Sequence, residues 1–459
     1  MIDPTTETIT SLTELIRRRA VSAEEVLRAH LERIDQWNPK LNAIVTLAPD
    51  AMEKAKAADA VLARGALAGP LHGVPVTIKD TIETAGLRTT SGSLMRAAFV
   101  PDKDASAVAR LKAAGAIILA KTNTAEMAMD YTTENPVFPR GNNPHDLNCT
   151  TGGSSGGEAA AIATCMSPGG IGSDLAGSIR IPSHFCGVVG LKPSVERVPG
   201  DGQFPPAAGP YSLGAVIGPI ARNVADLRLL FQVLAGVEPA PVAMKLERDS
   251  RVAFYTDDGV APVSSETRQA VRNAATALAE AGLAVEERRP PGVERGHELW
   301  LKLFSRASVA ILRSVYAGNE DKGGDFVRWR LRTADDTPPA SLDEYINSWL
   351  ERDRLRAELV EWMSDVPLIL APVGAVPAYE HGTLKVTVDE TTMGTFRAFS
   401  YAQTFNVFDL PVAVVPAGRS RDGLPIGVQI VGRPFAEDTV LTAAAMIEAA
   451  LGGWRPPQI

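Results

Sequence analysis

The order of elements in this chain predicts an α/β protein. Short apolar runs of strand length, residues 74–78 and 116–120, stand between segments of helical character. Further on, residues 252–255, 265–281 and 283–285 read as strand, helix and strand. Strands that alternate with helices build a largely parallel or mixed sheet, because a parallel crossover needs a helix-sized connection.

Each element has a local reason. Ser11-x-x-Glu14 and Ser22-x-x-Glu25 have the capping-box pattern and open two helices, the second stopped by Asn38-Pro39. A helix over 51–64 ends at Gly65, since glycine enters the left-handed conformation that closes a helix. Asp104 stands where it would cap a helix to Ala114, with Gly115 as its terminal glycine. The glycine- and proline-rich stretches 199–219 and 236–241 read as loops. Residues 294–364 are helix-rich and hold four of the six tryptophans, Trp300, Trp329, Trp349 and Trp362. These aromatics read first as helix packing, and second as a lid over a site.

Bulk properties exclude several classes. The 459 residues permit two to four domains by length, and 45% hydrophobic with 22% charged residues is ordinary globular composition. A formal net charge of -8 and no basic run argue against a nucleic-acid binder. The longest apolar stretch, 366–378, carries three prolines and falls short of the ~18 residues of a membrane helix. No basic segment followed by an apolar core opens the chain, so no secretory signal is expected. Cys149, Cys165 and Cys186 are an odd, sparse set, which fits a reducing cytoplasm without disulfides. His184 and Cys186 lack further ligands at zinc spacing and read as packing residues.

The most informative segment is Thr151-Gly152-Gly153-Ser154-Ser155-Gly156-Gly157, followed by helix-forming residues 158–166. As a phosphate loop it fails, because no lysine follows Gly157. As a G-x-S-x-G elbow it offers Ser155 as nucleophile and His381 as the histidine best placed along the chain. An elbow follows a buried strand, however, and residues 142–148 are polar turn formers. A third chemistry uses a neutral lysine to activate a serine, given burial that lowers the amine from its reference of about 10.4. Lys79 ends the apolar run of residues 74–78; by itself it also reads as a solvated strand end or a partner of Asp80. Ser178 by itself also reads as a turn hydroxyl.

Together these segments resemble the amidase signature family. The resemblance rests on Gly73-Val74-Pro75-Val76-Thr77-Ile78-Lys79-Asp80, on Gly152-Gly153-Ser154-Ser155-Gly156-Gly157, and on Gly172-Ser173-Asp174-Leu175-Ala176-Gly177-Ser178-Ile179-Arg180. Lys121-Thr122-Asn123, Leu191-Lys192-Pro193 and Gly423-Leu424-Pro425-Ile426-Gly427 support it, and Ser154 and Ser178 stand 24 positions apart, a spacing the family uses. It extends over about 10–450 and is weakest at about 290–390.

The resemblance implies one α/β/α unit over 1–459 with a central mixed sheet. Its core covers about 65–235 and 365–451, and a variable helical, pocket-forming segment covers about 290–364. It also implies a serine hydrolase of carbon–nitrogen bonds with Ser178 as nucleophile, Ser154 as bridging serine and Lys79 as base. The N–H groups of Leu175, Ala176, Gly177 and Ser178 would form the oxyanion hole, and Met129, Tyr131 and Ser155 the pocket. Phe396, Phe399 and Tyr401 are further pocket or core aromatics. Many family members have two glycines before the nucleophile where this chain has Ala176-Gly177, which would strain the loop if residue 176 needed positive φ. No metal or organic cofactor is needed, and the partners are a small amide and water. The chain is expected to be a monomer or homodimer in the cytoplasm, away from membranes and nucleic acid.

Neutral aryl or medium-chain amides are the expected substrates, with carbamates and esters beside them. An amidotransferase A-type subunit is the alternative, set back by divergence after Lys192-Pro193 into Ser194-Val195-Glu196-Arg197. A Ser155-based Ser-His-Asp hydrolase and a non-enzymatic binding scaffold are the remaining rivals.

Overall fold

Apolar runs too short for helices become the strands of one large sheet in the computed structural model, which describes residues 2–238, 246–334 and 340–458. In chain order these are β1 (Ile44–Leu47), β2 (Pro75–Lys79), β3 (Ile117–Thr122), β4 (Gly169–Asp174), β5 (Val189–Lys192), β6 (Val216–Ala221), β7 (Arg251–Phe254), β8 (Ala284–Glu287) and β9 (Leu368–Pro372). A separate ribbon, β10 (Lys385–Val388) and β11 (Thr391–Gly394), precedes β12 (Val412–Arg419) and β13 (Pro425–Gly432). The eleven-stranded sheet runs β1-β3-β2-β4-β6-β5-β12-β13-β9-β7-β8. It is parallel across β3-β2-β4 and across β9-β7-β8, and antiparallel between β4 and β9 and at the β1 edge. The sheet is therefore mixed, as expected.

Alternate residues of its central strands enter two different cores. Leu368, Leu370, Ala413, Val415 and Ile430 belong to one apolar cluster, and Ile369, Ala371, Val412, Val414 and Val431 to another. A period of two means opposite faces, so helices cover both sides of the sheet. The first face takes the helices α1 (Ile9–Arg17), α2 (Ala23–Leu41), α3 (Ala51–Ala63) and α4 (Ser106–Ala113); the second takes Leu299, Trp300 and Phe304 of the later helical segment. Among the described residues no helix is long and apolar enough to cross a membrane.

Local signals set some boundaries and mislead at others. Ser22 forms a true capping box, with its hydroxyl 3.0 Å from Glu25 N and its N–H 2.8 Å from Glu25 Oε2. Ser11 does not cap. The Thr8 hydroxyl accepts the Ser11 N–H at 3.0 Å, so α1 starts earlier and Ser11 instead donates to Glu7. Pro39 does not stop α2 but sits in its last turn; the helix ends where Asn42 turns left-handed (φ 50°) and donates to Asn38 O. Asp104 does not cap α4, because it accepts the Ala85 N–H and pairs with Lys112, while Asp201 serves the Ser106 N–H. Residues 216–219 of the expected 199–219 loop are strand β6. In the expected 236–241 loop, Gly236 closes the helix Val224–Ala235 at φ 70°, and 239–241 lie outside the described residues. The segment 290–364 is helical over Gly296–Trp300, Leu301–Ser305, Arg306–Tyr316, Asp325–Thr333 and Leu342–Trp362; its residues 335–339 lie outside the described residues.

Two neighbours in the sheet matter for chemistry. β2 and β4 are parallel and adjacent, so their last residues, Lys79 and Asp174, come to the same edge. The carboxyl ends of parallel strands are where α/β sheets place ligands.

Candidate active site

β2 is buried at every residue, and this drags Lys79 out of water. The Lys79 Nζ lies 2.6 Å from Ser154 Oγ and 3.0 Å from Ser173 Oγ. Burial lowers its pKa to about 7, against the opposing charges of Asp174 and Glu158. Lys79 is neither solvated nor the partner of Asp80, whose carboxylate takes the Thr90 N–H and hydroxyl. Two further buried lysines, Lys121 and Lys192, each donate to a main-chain carbonyl, of Ile82 and Pro193 respectively, and Lys121 also reaches the hydroxyls of Thr84 and Thr89 at 3.3 and 3.2 Å. Lys79 has no carbonyl partner among the described residues and touches two hydroxyls, one of them that of Ser154 on the cavity described below, and a hydroxyl can hand a proton to a neutral amine where a carbonyl cannot.

Ser154 and Ser155 stand just before the helix α5 (Gly156–Ala163). The Gly153–Ser154 peptide is cis, and a Cβ on Gly153 would collide with Thr132 O and lie 2.6 Å from Asp130 O. Only glycine allows the serine loop so close to the 130–132 backbone. The Ser155 hydroxyl is turned away: it is fully buried, donates to Ser173 O at 3.3 Å, and does not line the cavity described below. The expected pocket role of Ser155 is therefore corrected to a tie between the serine loop and β4. No histidine bonds to it among the described residues. His184 is taken by Val376 O and Gly427 N, His297 by Gln403, and His381 lies 3.7 Å from Glu134.

The turn after β4 presents Ser178 and is held from beneath by one buried ion pair. Asp174 accepts two hydrogen bonds from Arg180, at 2.9 and 3.0 Å, one from Asn406, and the N–H groups of Gly177 and Ile179. Burial raises the Asp174 carboxyl, but the Arg180 charge and its hydrogen bonds outweigh that and hold it well below the ordinary carboxylate range. Arg180 is satisfied in turn, its remaining donors going to Asn406, Ala402 O and Gln429. Such a fully matched pair fixes a turn without leaving a buried charge exposed.

Positive φ falls on Gly177, at 108°, and not on Ala176, so the Ala176-Gly177 sequence carries no strain at residue 176. Because the Gly177 N–H is committed to Asp174 at 2.9 Å, it is not a free donor. The N–H groups of Leu175, Ala176 and Ser178 have no acceptor among the described residues. Their carbonyl side is braced: Trp300 Nε1 donates to Leu175 O at 3.0 Å and the Tyr131 hydroxyl to Ala176 O at 2.8 Å.

Ser154, Ser173, Asp174, Leu175, Ala176 and Ser178 open on one cavity. Met129, Tyr131 and Phe396 line it, whereas Phe399 and Tyr401 are core residues that do not. Trp300 and Phe304 complete an aromatic wall in which Phe396 stacks on Tyr131 at 4.6 Å and on Trp300 at 5.8 Å. Of the four tryptophans in the helical segment, only Trp300 faces the cavity; Trp349 packs edge-on to Phe304 behind it. Ser173, Asp130 and the Asp174–Arg180 pair have no role that the sequence announces. Ser173 gains one through the β2–β4 pairing, which no local pattern reveals, and Asp174 and Arg180 lie within the glycine-rich motif without a signal for their pairing.

Comparison with known proteins places the chain in a family. The Amidase family model matches residues 25–441. Fatty-acid amide hydrolase 2 of Homo sapiens is 32% identical, over 97% of this chain and 89% of its own. The A-type subunit of glutamyl-tRNA(Gln) amidotransferase from Geobacter metallireducens is 34% identical, over 96% of this chain and 97% of its own. The structure of 6-aminohexanoate cyclic dimer hydrolase complexed with substrate superposes with a TM-score of 0.86 at 30% identity, covering 100% of this chain and 99% of that one.

Proposed function

The chain belongs to the amidase family, and from that premise we propose that it hydrolyses small amides through an acyl-enzyme on Ser178. The observation that carries this reading is Lys79, an amine lowered to about 7 whose polar contacts are the hydroxyls of Ser154 and Ser173. In its neutral form Lys79 accepts the Ser154 proton while Ser154 accepts that of Ser178, and the Ser178 oxygen adds to the amide carbonyl. The developing oxyanion takes the free N–H groups of Leu175, Ala176 and Ser178, which are aimed by the turn and need no titration. The lysine proton then returns through Ser154 to the leaving nitrogen, the carbon–nitrogen bond breaks, and an ester to Ser178 remains. Water loses its proton through the same relay, attacks that ester, and restores Ser178 as the acid departs.

The substrates we assign are aryl or medium-chain amides, with carbamates and esters as slower or side substrates. The aromatic, largely apolar wall supports this, as does the likeness to fatty-acid amide hydrolase 2. A second reading, release of ammonia from glutamine as in amidotransferase A-type subunits, draws on the 34% identity to one of them. Glutamine brings a carboxylate, however, and no lysine, arginine or histidine lines the cavity among the described residues. Three buried free thiols support a reducing, cytoplasmic setting. Hydrolysis of a panel of anilides, alkyl amides, carbamates, esters and glutamine by the wild type and Ser178→Ala tests the reading. Turnover of the apolar amides that Ser178→Ala loses is expected; turnover of glutamine alone would favour the second reading, and turnover kept by Ser178→Ala would overturn both.

A further inference from the structure

Among the described residues that line the cavity, Asp130 and Asp174 are the acidic ones, and the protein treats their carboxylates differently. Asp174 is matched by Arg180. Asp130 is half-buried and, among the described residues, accepts only neutral donors, the Tyr131 N–H at 2.7 Å and the Thr132 hydroxyl at 2.9 Å. These leave acceptor sites on both of its oxygens unused. The charge that acts on it is another carboxylate, Glu134; burial first, and then Glu134, raises the Asp130 carboxyl. Arg330, which approaches the wall at Ser305, is committed to the carbonyl and hydroxyl of that residue.

A carboxylate set into a cavity wall without a cation is costly unless a ligand supplies one. The rest of the wall suits the same guest. Tyr131, Trp300, Phe304 and Phe396 line the cavity with aromatic rings, and such rings attract ammonium groups over their faces. Asp130 is also close to the chemistry, since its carbonyl oxygen would lie 2.6 Å from a Cβ on Gly153, the residue before Ser154.

We propose that Asp130 is a specificity-determining residue of this site and receives the ammonium group of an amine-bearing amide. The assignment rests on the hydrolytic reading above and deepens it: substrates ending in an ammonium are favoured and those ending in a carboxylate are rejected. The chemistry involves no covalent step at Asp130, only charge pairing in a partly dry wall.

Matched amides ending in ammonium, methyl or carboxylate, with the end group on the acyl or on the amine side, read this as ratios of kcat/KM. On at least one side the ammonium-ended amide should exceed the carboxylate-ended one by about 30-fold or more, and Asp130→Asn and Asp130→Ser should bring the ratio within about threefold. Turnover of the methyl-ended amide by each variant reports that its site is formed. Calorimetric binding of the same amides to Ser178→Ala, with and without Asp130→Asn, reads the preference without turnover. A binding preference in a protein that hydrolyses none of these amides would keep the Asp130 assignment and sink the hydrolytic reading. Turnover with no ammonium preference on either side, or a preference kept by both Asp130 variants, overturns the assignment and leaves the hydrolytic reading standing.

Discussion

Lys79 must be neutral to take a proton, and its burial sets the pH at which that happens. With the ammonium pushed down to about 7, kcat/KM should rise with pH and level off above an apparent pKa near that value. Lys79→Ala should lower kcat by about 10²–10⁴-fold and remove the acid limb. Steady-state pH profiles check both, and a limb kept by the variant would assign it to another group. The same shift has a consequence for stability. The folded protein releases the Lys79 proton near 7 and the unfolded chain near the ordinary value of 10.5, so the unfolded state binds more protons in between. This contribution to stability therefore rises with pH across that window and is lowest below it. Replacing the lysine by an uncharged chain of similar length, Lys79→Met, should raise Tm more at about pH 6 than at about pH 9. An equal change at both would mean that Lys79 is not buried as a charge at low pH. Lys79, Ser154 and Ser178 are legible in the sequence only through the family resemblance, since by local pattern the first reads as a strand end, the last as a turn hydroxyl, and Ser155 is the serine that fits an elbow. Ser173 and Asp130 are not legible there, since a hydroxyl beside a lysine from a neighbouring strand, or a carboxylate without a cation, is a property of the folded site.

At the scale of elements, helix ends obey whichever partner is nearer in space. Ser22 and Glu25 meet because they are three residues apart on a first turn, so the capping box at α2 is legible in the sequence. Ser11 carries the same pattern, but Thr8 reaches its N–H first. Thr8→Ala should therefore cost about 1 kcal/mol of stability, a cap's usual worth, and Ser11→Ala clearly less. Thermal melts of both variants check this, and the reverse order would move the start of α1 to Ser11. Asp104 misleads for a non-local reason, since Asp201, distant in sequence, serves the helix that Asp104 precedes. Strand β6 is hidden by Gly218 and Pro219, residues that mark turns in isolation yet pair here with Gly172 and Ile171 of β4.

Over the whole molecule, the fold class follows from alternating elements, but the strand order does not. Neighbours such as β5 and β12, or β13 and β9, join distant parts of the chain, and their pairing depends on long-range packing. The same holds for the site. Residues from β2, the serine loop, the turn after β4 and the helical segment near Trp300 converge only because β2 and β4 lie side by side beneath the second core. That convergence leaves Ser178 open to the cavity while Ser155 is tied to Ser173 and turned away from it. A fluorophosphonate, which reacts only with an activated serine, separates the two most directly. Mapping the modified residue by mass spectrometry should place the label on Ser178, with labelling lost in Ser178→Ala and Lys79→Ala and kept in Ser155→Ala. A label on Ser155, or an unreactive wild-type protein, would contradict the relay from Lys79 through Ser154 to Ser178.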